Sequence, residues 1–426
     1  MASICMYFQV HQPHRLNRYT FFDIGSDKAY FNEKRNREIF ERVARKCYYP
    51  TNDAIKKLIE RYGGRFRVSY SITGTFVEQC KMYDPKVLDS FRSLVDTGCV
   101  DILDETYYHS LAYLVSQDEF VGQIKQHRDL IKQEFGCEPT VFRNTEAMYS
   151  NDVARLIESL GYKGILAEGW DAYLGWRSPN YVYRPEGCER IKLLMRNYRL
   201  SDDVSFRFST SGWQEFPLTA DKYAMWLSKN EGQVINLFMD YETFGEHQWP
   251  ETGIFAFLEH LPGEVFKHSN LDFLTTREAV ERYEPVGHID VPYVSSWADV
   301  DRDLTAWLGN DMQRDAFDSV KSLEAELKSG DDAGLLDTWR KLLTSDHFYY
   351  MCTKWFADGD IHKYFNDYEN PYDAYTNFMN ILSDLRRRHV EAKEGRSTRK
   401  KAAGGERKRR RMKKTNGRPK KRRLVV

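Results

Sequence analysis

The sequence predicts an α/β protein: a seven-stranded parallel (β/α) barrel, followed by an α-helical region and a disordered basic tail. Three observations predict it. Short apolar runs alternate with helical spacing over about the first 240 residues, as parallel βα units require. The exits of these runs are polar one after another, and the carboxyl ends of parallel strands are where chemistry sits. From Phe255 onward the strand signal fades and helical spacing takes over.

Ile4 to Val10 is the first strand, stopped by Pro13 within His11-Gln12-Pro13-His14. Helices follow over Phe31 to Lys46 and Thr51 to Tyr62, then a strand over Phe66 to Ile72 and a helix over Pro85 to Asp96. Val100 to Leu103 is the third strand, and it exits into Asp104, Glu105 and, six residues beyond the strand, His109. Ser116 to Phe135 has amphipathic helical spacing with Gly136 as its stop. Thr140 to Phe142 is a very short strand leading into Arg143-Asn144-Thr145-Glu146, and Asn151 is the expected cap of a helix to Leu160. Gly164 to Ala167 and Ile191 to Asn197 are the fifth and sixth strands.

After a helix over Thr219 to Asn230 comes the most informative stretch, Gln233 to Trp249. Its apolar run Val234 to Met239 reads as a buried strand, and it discharges at once into Asp240, Glu242, Glu246 and His247. Helical spacing then marks Leu271 to Tyr283, Arg302 to Leu308, Met312 to Lys328, Ala333 to Thr344 and Tyr372 to Val390. The expected division is a catalytic barrel over 1–261, a helical region packed on it over 262–390, and a basic tail over 391–426.

Composition narrows the classes. At 41% hydrophobic the chain can bury a large core, and 27 Tyr, 25 Phe and nine Trp are a heavy aromatic load. Aromatic faces also line sugar-binding clefts, so the balance leans toward carbohydrate. The zero net charge hides an asymmetry: from Arg386 on there are 20 Lys and Arg against three acids. Such a run is solvated, or binds a polyanion such as nucleic acid by counterion release. It lacks aromatics, which argues against base stacking. Seven cysteines, odd in number and without a CxxC, read as free thiols in a reducing, cytoplasmic setting. No window suits a membrane span, and no feature of the sequence fixes an oligomeric state.

Glycoside hydrolysis needs two carboxylates, one acting as nucleophile or base and the other as an acid of raised pKa. Spacing alone leaves several strand-exit acids open. Five stretches narrow the choice: FQVHQP with His11, VDILDETYYH from Val100 to His109, FRNTEAMYS with Glu146, FMDYETFGEH with Asp240, and SDHFYYM from Ser345 to Met351. In this order they resemble the motifs of glycoside hydrolase family 57, the α-amylases and related α-glucan-active enzymes, and among them the archaeal α-amylase members. The resemblance runs from Tyr7 to about residue 385, leaving out the basic tail. It implies a seven-stranded barrel followed by helices, a retaining mechanism without metal or cofactor, and an α-glucan or maltodextrin substrate. It makes Glu146 the nucleophile and Asp240 the general acid/base, with carboxyl groups roughly 5–5.5 Å apart.

Around that pair, substrate contacts are expected from His11, His109, Asp101, Glu105, Trp170, Trp297, Asp346 and His347, with Glu242 and His247 behind Asp240. Asp101 departs from the pattern, which usually has glutamate there. Each of these residues also has a plainer reading as helix cap, core histidine or core aromatic. Three competing functions remain. A 4-α-glucanotransferase or branching enzyme would use the same pair. A metal-dependent polysaccharide deacetylase would need a clustered set such as His11, His14, Asp104 and His109, although no HxxxH occurs. A non-catalytic glucan-binding protein would have no use for both acids.

Overall fold

A computed structural model describes residues 2–354 and 366–415, the last part, beyond residue 394, as backbone only. All seven expected strands are present: β1 (Ala2–Val10), β2 (Val68–Ile72), β3 (Val100–Leu103), β4 (Val141–Phe142), β5 (Gly164–Glu168), β6 (Lys192–Arg196) and β7 (Val234–Asp240). β2 and β5 are buried along their whole length, and β7 in all but its last residue. That burial on both faces explains why they read as apolar runs rather than alternating ones.

Every pairing between them is parallel. The strands follow one another in sequence order, as one sheet running β3-β2-β1-β7 and another running β4-β5-β6. Two seams join the sheets. At one, the Asp104 amide donates to the Val141 carbonyl (3.0 Å) and the Arg143 amide to the Asp104 carbonyl (2.9 Å). At the other, Asn197 N–H donates to Asn236 C=O (2.8 Å), and the Asn236 side-chain amide to Met195 C=O (2.9 Å). The fold is thus α/β with parallel sheets, and the seams are single contacts rather than ladders.

Local chemistry sets the helix ends. Ser116 caps Gln117–Phe135 by accepting from the Glu119 amide, and Gly136 closes that helix at φ 68°. The cap of Asn151–Ser159 is Ser150, not Asn151. Asn151 instead ties this helix to the strand-like segment beyond it, through the Asp290 carboxylate (2.6 Å) and the Val291 amide (2.9 Å). Helix Glu33–Val43 widens into a π turn over Ala44–Tyr48 before α winding resumes at Tyr49.

The stretch Leu271 to Tyr283, expected to be one helix, divides. Leu271–Phe273 (β8) pairs with the start of β1, and Thr275 caps a helix over Thr276–Arg282. The sheet therefore extends past residue 261. A second core of helices follows, from Thr305–Leu308 to the long helix Pro371–Thr415, built around Trp307, Trp339, Phe348 and Phe378. That last helix runs into the segment expected to be disordered, and residues 416–426 lie outside the described residues. Among the described residues, no helix is long and apolar enough to cross a membrane.

Candidate active site

The exits of β1, β3, β4 and β7 meet the helical layer at a cleft of about 590 Å³ lined by Gln9, His11, Gln12, Pro13, Arg15, His109, Glu146, Asp240, Glu242, His247, Trp297 and Asp346. The pairing of β1 with β7 sets Gln9 beside Asp240. The helical layer reaches the cleft because the Ser345 amide donates to the His109 carbonyl (3.0 Å).

Glu146 sits in a single 3-10 turn directly beyond β4. Its side chain is 6% exposed and its backbone is left-handed, with φ 54°. Ala147 (φ 51°) and His109 (φ 49°) share this conformation. Each such residue without a glycine's freedom costs roughly 1–3 kcal/mol and persists only where its surroundings over-determine it. They do so here. Glu146 Oε1 accepts from Ser345 Oγ (2.9 Å) and lies 3.3 Å from His109 Nε2. Oε2 accepts from the Trp297 indole (2.9 Å), and the Glu146 carbonyl from the Trp297 amide (3.1 Å).

His109 lies between two carboxylates, with Nδ1 3.0 Å from Glu105 Oε2. Burial disfavours its charge, but the hydrogen bonds to Glu105 and Glu146 outweigh that and raise it to about 9. Glu105 is buried too, yet the His109 hydrogen bond and charge hold it down at about 2. Gln9 Nε2 holds its other oxygen at 3.0 Å. His109 is therefore a cation at neutral pH, donating from both ring nitrogens.

His11 stacks on His109 at 4.2 Å between ring centroids. Burial and the His109 charge push it below its usual value, so this imidazole is neutral. A carboxylate only accepts, so the hydrogen sits on Nε2 facing Asp346 Oδ2 (3.1 Å), and Nδ1 accepts from Thr73 Oγ1 (3.0 Å).

Across the cleft the surroundings differ. Asp240 ends β7 half-buried, and the following turn carries Glu242 and Glu246. Burial raises Glu242 to about 8, with further push from the charges of Asp240 and Glu246, although Tyr48 Oη donates to it at 2.6 Å. Glu246 is fully buried and pairs with Arg42 (3.0 Å). Gly245 turns the chain between them at φ 100°, where a Cβ would meet the Lys46 carbonyl oxygen at 2.0 Å, so no other residue fits.

The cleft gathers His11, His109, Glu146, Asp240, Trp297 and Asp346 from the sequence expectation, and it brings Glu242 and His247 to its wall. Four expected contacts lie elsewhere. Asp101 sits two residues before the end of β3 with its carboxylate on Arg277 (2.9 Å). The acid that engages His109 is Glu105, which is buried behind it rather than exposed to the cleft. Trp170 turns onto Tyr173 (5.0 Å between rings). His347 is buried on the helical side near Phe378, and burial lowers it to about 4. Sequence reasoning missed Ser345 and Arg143. Arg143 stands in the FRNTE stretch itself, but its partner, Trp297, is distant in sequence.

The four side chains that a metal site would need are divided among other partners: His14 on Glu78 (2.9 Å), Asp104 on His127 (2.5 Å), His11 on Asp346, and His109 on Glu105. Among the described residues there is no cluster of three or more His, Cys, Asp or Glu that could hold a metal.

Two carboxylates facing one cleft from strand exits, on a parallel α/β fold, are what a glycoside hydrolase requires. The sequence profile of "Glycosyl hydrolase family 57" matches residues 5–292, and the chain belongs to that family. It is 47% identical over 395 residues to the protein called "Putative alpha-amylase" from Methanocaldococcus jannaschii, spanning 89% of this chain and 83% of that one. It is 21% identical over 269 residues to an alpha-amylase of Pyrococcus furiosus, of which it spans 38%. Among solved structures, the GH57 branching enzyme of Thermococcus kodakaraensis superimposes with a TM-score of 0.64 at 13% identity, covering 90% of this chain and 88% of that one. The alpha-amylase AmyC of Thermotoga maritima does so at 0.57 and 14%, covering 90% and 93%.

Proposed function

We propose that the protein is a retaining hydrolase of α-1,4-glucans, with Glu146 as nucleophile and Asp240 as general acid/base. The observation that carries this reading is that the two acids face one cleft from the exits of β4 and β7, with donors gathered on one of them. Glu146 faces His109, Ser345 and Trp297, all of them donors, which favour its anion. Asp240 faces the same cleft from the end of β7, beside the buried Glu242. In the first step Glu146 attacks the anomeric carbon as Asp240 protonates the departing glycosidic oxygen. In the second, Asp240 takes a proton from water, which displaces Glu146 from the glycosyl-enzyme. His109 and Trp297 hold Glu146 at the point of cleavage, and His11 and Asp346 line the cleft beside it.

The 47% identical archaeal relative supports amylase-type specificity. Seven free cysteines support action in the cytoplasm, and a polyanion is the partner we propose for the basic tail. The test is product analysis on maltoheptaose after EDTA treatment, comparing wild type with Glu146→Gln and Asp240→Asn. Shorter maltodextrins that persist after EDTA and vanish in both variants are expected, and longer products would mark a transferase. Intact maltoheptaose in the wild type would overturn the reading.

A further inference from the structure

We infer that Arg143, acting through the Trp297 indole, keeps the Glu146 carboxylate ionised and aimed, which makes it a positioning residue of the reaction proposed above and dependent on that reading. Arg143 directly follows β4, three residues before Glu146, and is 1% exposed. Among the described residues, none of its three guanidinium nitrogens has a hydrogen-bond partner. A buried charge without hydrogen bonds is expensive, so its presence asks for a reason. The Trp297 ring lies 4.4 Å from the guanidinium carbon. That same indole donates to Glu146 Oε2.

A charge count gives the reason. Glu105 and Glu146 are two buried anions, and His109 between them is one buried cation. Arg143, like His127, adds positive field at Glu105, and its field reaches Tyr7 as well. Its removal leaves the two buried carboxylates with less positive charge beside them. Arg196 also faces the Trp297 ring, at 5.8 Å, but it is already committed to Glu168 (3.1 Å) and Asp202 (2.5 Å). Arg302 holds the Trp297 carbonyl (2.7 Å) and fixes the loop rather than the ring. A cation over the indole face also draws electron density from the ring and strengthens the N–H as a donor. The other ionisable groups facing this part of the cleft are His11, Arg15, Asp240, Glu242, His247 and Asp346.

The test is the pH profile of kcat/KM on maltoheptaose, with circular dichroism and thermal melts to establish folding, for the full chain and Arg143→Met, Arg143→Lys and Trp297→Phe. The acidic limb reports ionisation of the nucleophile. It is expected to move up by about one pH unit in Arg143→Met, as loss of a nearby opposite charge does, with kcat falling and KM nearly unchanged. Arg143→Lys, which keeps the charge, should hold the wild-type limb. Trp297→Phe should move it in the same direction as Arg143→Met, and the double variant by less than the sum.

A folded Arg143→Met with the wild-type limb overturns the inference, as does a Lys variant displaced as far as the Met one. If Arg143→Met does not fold, Trp297→Phe with an unmoved limb overturns it alone. Glu146→Gln separates the two failures. If it stays active, the catalytic reading falls. If it is inactive while the Arg143→Met limb stays put, only this inference falls.

Discussion

The two walls of the cleft carry the same functional group in opposite settings. On one, Glu146 is met by a hydroxyl, an indole N–H and a cationic imidazole. On the other, Asp240 is followed by Glu242, raised to about 8, and by Glu246, which relies on Arg42. In the proposed mechanism such unlike surroundings are what would let two carboxylic groups divide the work between nucleophile and acid. The donors around Glu146 come from the β3 exit, the 295–297 segment and the helical layer, and the contacts that hold Glu242 and Glu246 come from helix Glu33–Val43 and the π turn.

Five changes test that contrast, from the largest expected effect to the smallest. Asp240→Asn lowers kcat by roughly 10²–10⁴-fold, and Glu146→Gln by at least as much, both measured as steady-state maltoheptaose cleavage. His109→Asn removes the cation between two buried carboxylates. Losing charge-assisted hydrogen bonds predicts a kcat decrease of roughly 10–100-fold and an acidic limb displaced upward. An unchanged limb would show that His109 does not hold Glu146 ionised.

Glu242→Gln tests the opposite wall through stability. The folded state favours neutral Glu242, so wild-type stability falls as pH rises from about 4.5 to about 8. The Gln variant escapes that loss, and its thermal midpoint should exceed the wild type's by a margin that grows from pH 5 to pH 8.5. His109 works in the same pH direction but from a favourable pairing: its contribution is full below about 6.5 and lost as pH rises through about 9. Glu105 works oppositely, contributing above about 4.5 and losing its effect as pH falls toward 2. A margin that stays flat would mean that Glu242 is ionised in the fold. Ser345→Ala is the smallest change: one neutral hydrogen bond to Glu146 predicts a kcat/KM loss of roughly 2–10-fold.

Much of the fold was legible because the strands are buried on both faces and therefore read as apolar runs. β8 was not, since three residues, Leu271–Phe273, are too few to show a period before a capped helix begins. The exits of β1, β4 and β7 were legible as chemistry, and they deliver His11, Glu146 and Asp240 to one cleft. What spacing could not convey was phase and distance. On Ser345–Tyr349, Ser345 and Asp346 meet the cleft side, while His347, about 100° further round the helix, turns into the core. Asp101 lies too early on β3 to reach the exit. Arg143 and Trp297 meet only because the 295–297 segment bridges antiparallel to Tyr149. The basic stretch after Val390 was read from its charge, whereas Lys, Arg, Ala and Glu also rank among the better helix formers, in keeping with the helix to Thr415.

The π turn Ala44–Tyr48 has a reach disproportionate to its five residues. It carries one residue more than α winding would allot to that arc. The extra residue lets Tyr48 reach Glu242, Cys47 reach the Tyr241 carbonyl (3.2 Å) and Lys46 approach Glu246 (3.8 Å), all at once. Deleting one residue there would restore regular winding and swing Tyr48 by about 100°, unseating contacts to a loop 194 residues downstream. Along this helix, chain length is thus a heritable setting of the acid wall, one that an insertion or deletion can alter while every residue named in the cleft stays the same.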